Sequence, residues 1–527
     1  MSRPGRSLPL NLGLSLALAG AGAYLFGTSL SPTAAVGVPV VRSLFRPSIP
    51  ALLGGNLPIN AGARDPSNID ANNSPTLAVN PRDPANLAVS NRIDSQRYSC
   101  ALHYSVDAGR SWNPTSIPIP EGEEPKCFAP DIVFGGDGNL YVSYVTLKGL
   151  GNVPNAVWLV SSADGGRTLS SPNRVRGPLA FQVRLVTDPE RELLYLSWLQ
   201  ASEVGLYLFA NTGNPIIVSR SDDQGATWTS PAGVSPPGRP RVLAPSPALG
   251  GKGELYLLYL DLKEDSLDYH GGHGGQGGEP YPGTWELVLA RSSDRGRSWS
   301  ESVVDDGIVP IERFLVFLPP FPSPAVDPGT GRIYAAFHDA RAGDPDVYVW
   351  SSADGGRRFG RPTRVNDTPL RDGTSQYLPK LAVAPGGRLD VLYYDRRADP
   401  DNLMNEVSFQ SSFDEGRTFT RRLGISERAF DSRVGVGGVR GMPDLGSRLS
   451  LVSTETSARA VWTDTRAGTP SNLKQDLSFA VVGFSRSARP GAFLRMGGLV
   501  LLSAGLLVTV ASLVRRSPRA RAGNQTS

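Results

Sequence analysis

Apolar and polar residues alternate along this chain in short runs separated by glycine and proline. "RIYAAFHD" (332–339) follows "DPGTG", and "DVYVWSS" (346–352) follows a polar loop; "RLDVLYYD" (388–395) follows "APGG". A period of two over five to eight residues is the signature of a half-buried strand, and Gly/Pro clusters mark the turns. No segment between these runs sustains a helical period. The pattern predicts an all-β protein built of short antiparallel strands.

The runs are organised by a repeat. Ser-x-Asp-x-Gly-x-x-aromatic occurs as "SVDAGRSW" from Ser105, "SADGGRTL" from Ser162, "SDDQGATW" from Ser221, "SSDRGRSW" from Ser292, "SADGGRRF" from Ser352 and "SFDEGRTF" from Ser412. Leu169 alone breaks the aromatic position. The boxes lie 57, 59, 71, 60 and 60 residues apart. Four strands in roughly 60 residues make one propeller blade, with the box as the hairpin between third and fourth strands. Its Ser and Asp oxygens can accept backbone N–H groups, and its Gly frees the turn from a Cβ. Asp107, Asp164, Asp223, Asp294, Asp354 and Asp414 are therefore read as structural. A seventh unit without a box, residues 449–482, aligns "AVWTDTRAG" with "AAFHDARAG" and stops after three strands. The segment from Asn56 resembles the outer-to-inner passage from Arg361, so the N-terminus supplies the missing strand and closes a seven-bladed ring.

The boxes resemble the Asp-box, or bacterial neuraminidase, repeat of the sialidase superfamily, and the resemblance covers residues 56–484. It implies a propeller, for which a six-bladed sialidase-like ring is the alternative to seven. It also implies glycan recognition, or exo-sialidase and related glycoside hydrolase activity; a scaffold for partner proteins is the remaining class. A sialidase-like site would hold a sugar carboxylate with three arginines and use a Tyr nucleophile assisted by Glu. Asp339/Arg341, Asp395/Arg397 and Asp464/Arg466 repeat Asp-x-Arg after the second strand of three units, with Arg92 and Asp94 near the same place in the first. These pairs either clamp a ligand or brace a loop. Tyr377 lies in a plausible region, as do Tyr393 and Tyr394, but the family's Phe/Tyr-Arg-Ile-Pro motif is absent and no Tyr/Glu pair can be assigned.

Charge alters the picture at the ends. Nine of the 53 basic residues, Arg3, Arg6 and seven from Arg486 onward, lie at the ends of the chain, outside residues 7–485. The remaining 44 face 49 acidic residues, all between Asp65 and Asp476. That body lacks the basic excess of a nucleic-acid binder. Residues 1–35 read as a signal peptide or an N-terminal anchor, with 36–55 a linker. Residues 496–514 carry no charge over 19 positions, about 28 Å as a helix, which suits a transmembrane span. The basic tail 515–527 is then cytoplasmic, 485–495 is a juxtamembrane linker, and the propeller is extracytoplasmic. Cys100 and Cys127, the only cysteines, permit a disulfide in an exported chain. The loop "DYHGGHGGQGGEPYPGTW" (268–285) carries His270 and His273 beside Asp268 and Glu279. Its glycines argue for a surface loop, and no metal or cofactor is assigned.

Overall fold

The computed structural model describes residues 16–18, 45–47, 50–60, 71–94, 98–203, 212–266, 281–311, 321–435, 445–484, 486–488, 501–504 and 506–511. Seven antiparallel sheets form the seven blades of a propeller. Blade 1 comprises Ala71–Val79 (inner), Leu87–Asp94 (second), Ser99–Ser105 (third) and Asn113–Thr115 (outer). Blades 2 to 6 begin at the inner strands Cys127–Phe134, Ala180–Asp188, Val242–Leu249, Ser323–Val326 and Gln376–Val383. Blade 7 contributes Ser450–Ser453, Ser457–Asp464 and Asp476–Gly483.

The ring closes with N-terminal chain. Ala51 and Leu52 pair with Gly483 and Val482, and Leu57 and Pro58 pair with Phe479 and Ser478. The closing strand thus starts before Asn56. Pairing with the terminal strand buries a ladder edge that would otherwise stay open. Trp112 of blade 1 meets Phe479 of blade 7 edge-on at 5.5 Å, completing the apolar seam.

Second strands are covered on both faces by neighbouring sheets. Leu255–Asp261, Ile333–Asp339 and Leu389–Asp395 are buried at every position. This explains why their sequences read as near-continuous apolar runs. Trp198, Trp350 and Trp462 are among the largest fully buried side chains.

Each box is a turn tied by its own serine and aspartate. In the first, Gly109 N donates to Ser105 Oγ at 2.9 Å, and Ser111 N donates to Asp107 Oδ1 at 2.9 Å. The Ser111 hydroxyl donates to Asp107 Oδ2, and in the other boxes the glycine N–H likewise donates to the serine Oγ. These bonds hold Asp107 down to about 2, led by the one from Ser111. Gly109 sits at φ +90°, and a Cβ there would lie 2.6 Å from the Phe479 ring.

Val482 occupies the register that Ser412 holds in blade 6: it pairs with Ala458, six residues before Asp464, as Ser412 pairs with Leu389, six before Asp395. Ala51 pairs with Gly483, so the chain enters and leaves the ring at the box face. The propeller is one compact unit, Pro50–Gly483; Met1–Ile49 and Phe484–Ser527 form another. In the latter, Phe45–Pro47 pairs with Arg486–Ala488, and residues 501–504 and 506–511 are helical. No helix among the described residues is long and apolar enough to cross a membrane. Most of 1–35, the rest of 496–514, the tail 515–527 and loop residues 268–280 lie outside the described residues.

Candidate functional site

The three Asp-x-Arg pairs adopt one geometry. The backbone N–H groups of Arg341, Arg397 and Arg466 donate to Oδ1 of Asp339, Asp395 and Asp464 at 2.7, 3.0 and 2.9 Å. In each pair Nε donates to Oδ2 at 2.7 Å. Each guanidinium also meets a second carboxylate: Asp305, Asp367 and Glu427 respectively. Arg341 further lies 5.5 Å from the Tyr348 centroid in its own blade. Every cation here is already neutralised and directed along its blade. Tyr377 is buried, with its hydroxyl on Asn405 and its ring beside Arg396. Tyr393 and Tyr394 are also buried.

Arg92 and Asp94 lie elsewhere, at the central mouth. The inner-strand residues beside them are placed by a recurrent bulge. Register shifts fall between Asn73/Thr76, Phe128/Asp131, Phe181/Arg184, Leu243/Ser246 and Tyr377/Lys380. The extra residue is left-handed in every case: Ser74, Ala129, Gln182, Ala244 and Leu378 have φ between 48° and 59°. Proline follows four of them; it has no N–H to lose from the ladder. The next residue is carried towards the axis. Thr76, Asp131, Arg184, Ser246 and Lys380 occupy this position, joined by Ser323 and Ser450 in the matching register.

These side chains link the inner strands. Thr76 Oγ1 donates to Asp131 Oδ1 at 2.9 Å, and Leu185 N donates to Asp131 Oδ2 at 2.8 Å. Arg184 Nε stands 3.4 Å from Asp131 Oδ2 without hydrogen-bond alignment, and its buried Nε and Nη1 have no hydrogen-bond partner. Its guanidinium lies 5.3 Å from the ring of Phe321, two blades away. Arg448 comes from blade 7, with Nε on Thr76 Oγ1 at 3.1 Å and Nη2 on the Pro130 carbonyl at 2.7 Å. Arg92 Nη2 pairs with Asp94 Oδ2 at 2.6 Å and its guanidinium lies over Phe128 at 4.9 Å.

Four cations, Arg92, Arg184, Lys380 and Arg448, therefore converge on two carboxylates, Asp94 and Asp131. Among the described residues no carboxylate pairs with Arg448 or Lys380. Burial, reinforced by Arg184, pushes the Lys380 ammonium down to about 8. Burial and the same neighbour push the Arg448 guanidinium down to about 9. Asp131 opposes both shifts without cancelling them. The region has unmet positive potential, which a negative ligand would satisfy.

Above it opens a cavity of about 60 Å³, walled by Phe128, Phe181 and Phe321 with Arg92, Arg448 and Gln182 at its polar edge. That volume holds a small substituent, whereas a pocket enclosing a whole drug-sized ligand measures about 300 Å³ or more. The mouth lies on the face opposite the boxes, beside the connections between blades. Beneath its wall, Cys100 of blade 1 is bonded to Cys127 of blade 2, with Cα atoms 5.4 Å apart.

Sequence reasoning reached Arg92 and Asp94 but passed over Arg184, Lys380, Arg448 and the three phenylalanines. A signal was present. "SPTLAV", "APDIVF", "APSPAL", "FPSPAV" and "LPKLAV" share proline followed by a residue that faces the axis. Nothing in those strings reveals that the axial residues of different blades meet.

No protein-family profile matches the chain, and no curated protein does. Solved structures similar to it include a Dyadobacter fermentans protein of unknown function, 14% identical, covering 84% of this chain and 99% of that one at a TM-score of 0.44. A Hadza microbial sialidase is 13% identical over 74% and 75% at 0.43. The endosialidase of phage phi92 is 11% identical over 82% and 70% at 0.46.

Proposed function

We propose that this protein is a membrane-anchored, extracytoplasmic propeller that recognises an acidic glycan, or another surface ligand with a terminal anionic group, and binds it without cleaving it. The observation that carries the reading is the convergence of Arg92, Arg184, Lys380 and Arg448 on the axis under an aromatic-walled cavity. Guanidinium groups suit carboxylate and other oxyanions, and aromatic walls suit the C–H faces of a sugar. A cavity of about 60 Å³ takes the charged substituent while the rest of the ligand stays at the mouth.

Hydrolysis would need a carboxyl free to move a proton or a nucleophile open to the sugar. Asp131 accepts three donors or near-donors, and Asp94 is held by Arg92 and Asn73. Tyr377, Tyr393 and Tyr394 are buried away from the cavity. Anchoring rests on the uncharged run 496–514 followed by four arginines, with the C-terminus cytoplasmic.

The test compares 3′-sialyllactose with lactose on the full-length protein in detergent, by calorimetry, alongside a fluorogenic sialoside. Binding of the acidic sugar alone, with no turnover, is the expected result. Sialoside turnover that Arg448→Met abolishes in a folded protein would replace this reading with a sialidase.

A further inference from the structure

We propose that the Cys100–Cys127 disulfide is a redox-sensitive positioning element for the axial pocket; its binding consequence rests on the reading above, its structural consequence does not. The bond joins the third strand of blade 1 to the inner strand of blade 2. Cys100 is the register partner of Arg92, and Cys127 immediately precedes Phe128. The cross-link therefore ties together the two side chains that form one wall of the cavity, where the Arg92 guanidinium lies 4.9 Å from the Phe128 centroid. Cys127 N donates to the Tyr98 carbonyl at 3.1 Å, and the Tyr98 and Phe128 rings meet edge-on at 5.4 Å.

The bulge itself does not need the bond. Ser74, Gln182, Ala244 and Leu378 hold the same left-handed conformation as Ala129 in strands that carry no disulfide. What the bond decides is where Phe128 stands relative to Arg92. A cross-link between residues 27 apart restrains the chain through loop-closure entropy. Loss of that restraint is borne by one blade junction of seven, so it loosens the wall before it opens the ring.

The bond is also reachable. Cys100 is partly exposed whereas Cys127 is buried. A dithiol reductant attacks the Cys100 sulfur and the S–S bond breaks. Cys127 leaves as a thiolate, and the positive charge of nearby Arg92 favours its departure. The reductant's second thiolate then displaces Cys100 from the mixed disulfide and closes the reductant's own ring. Two electrons and two protons end on Cys100 and Cys127, and the reductant becomes a disulfide.

The test uses full-length protein in detergent, poised with a dithiol and its oxidised form, with thiols counted at each potential. Hydrogen exchange and 3′-sialyllactose affinity are read on the same samples, and a Cys100→Ser/Cys127→Ser variant gives the open state without reductant. Reduction should speed exchange at 91–94 and 126–130 while far-UV dichroism is retained. Affinity should fall tenfold or more and return on reoxidation. Complete reduction with unchanged exchange and affinity would overturn the proposal, and so would unfolding of the whole ring. If exchange responds but the oxidised protein never binds the sugar, the positioning role stands and the glycan reading falls.

Discussion

Arg448 of blade 7 passes over blade 1 and donates Nη2 to the carbonyl oxygen of Pro130 in blade 2 at 2.7 Å. A side chain that skips a blade in this way lies at the axis, where inner strands are near enough for one arginine to span three of them. Its partners are a hydroxyl and a carbonyl, both neutral, so its charge is left for a ligand. Arg397, by contrast, is fully used by Asp395 and Asp367 within and beside its own blade.

This contrast gives the first prediction. Arg448→Met should weaken 3′-sialyllactose binding tenfold or more, since a charged hydrogen bond contributes about 1.5–3 kcal/mol. The melting temperature should barely move, because the variant also removes a buried cation from beside Arg184. Arg397→Met should leave binding intact and lower stability, because it removes the nearest cation from the buried Asp395 carboxylate and leaves only Arg422 at 3.7 Å. Calorimetry and thermal melts on both variants check the pair; the reverse assignment would return the binding role to the Asp-x-Arg turns.

Lys380 makes stability rise with alkaline pH. Its folded value, about 8, lies below the ordinary 10.5 of lysine. Between those values the unfolded chain binds more protons than the folded one, so raising the pH favours folding. The melting temperature of the wild type should therefore rise relative to that of Lys380→Met as the pH is raised from 8 to 10. The difference is at most about 1.4 kcal/mol per pH unit for one group. Parallel pH profiles of the two proteins would remove Lys380 as the source.

His338 works at the other end of the scale. Its Nδ1 accepts the backbone N–H of Leu378, the bulge residue next to the proline that precedes Lys380, at 3.3 Å. Burial pushes the imidazole down to about 3, against the ordinary 6.5. Between pH 6.5 and 3 the unfolded chain gains the proton first, so stability falls as the pH falls. His338→Asn, which keeps an acceptor without a titrating ring, should flatten the acid limb of a melting-temperature profile. An unchanged limb would assign the acid sensitivity to other groups.

The Gly109 turn should tolerate no side chain. Gly109→Ala combines a left-handed φ of +90° with a contact of 2.6 Å to the Phe479 ring, where blade 7 closes on blade 1. A cost of about 2–4 kcal/mol is expected from the two effects together. Gly122→Ala shares the left-handed φ but meets no atom within 4 Å, and should cost about 1–2 kcal/mol. Denaturant melts of both variants measure the gap, and equal costs would show that the seam yields.

If the flanks anchor the chain as proposed, the pairing of Ala51 with Gly483 at the box face predicts that this face is the less accessible one on intact cells and the axial mouth the more accessible. Single cysteines at Ala163, on a box, and Ala398, on an Asp-x-Arg turn, are both exposed. The native cysteines are bonded to each other, so neither competes for a thiol reagent. A bulky reagent on intact cells should label Ala398→Cys faster than Ala163→Cys. Equal or reversed rates would reject the orientation.

The strands, the blade, the box turns and the count of seven were legible in the chain alone. Each is a local or periodic matter: alternation places one face of a strand inward, and Ser105, Asp107 and Gly109 close their turn within five residues. The closing strand was legible because the segment near Asn56 imitates the passage after Arg361. The site was not legible in the same way. Asp339/Arg341 and its copies drew notice because they repeat, yet repetition marks what every blade needs and their charges cancel within the blade. Thr76, Asp131, Arg184, Lys380 and Arg448 differ from blade to blade and lie far apart in the chain. Only closure of the ring brings them to one axis, and only there does their excess of positive charge exist.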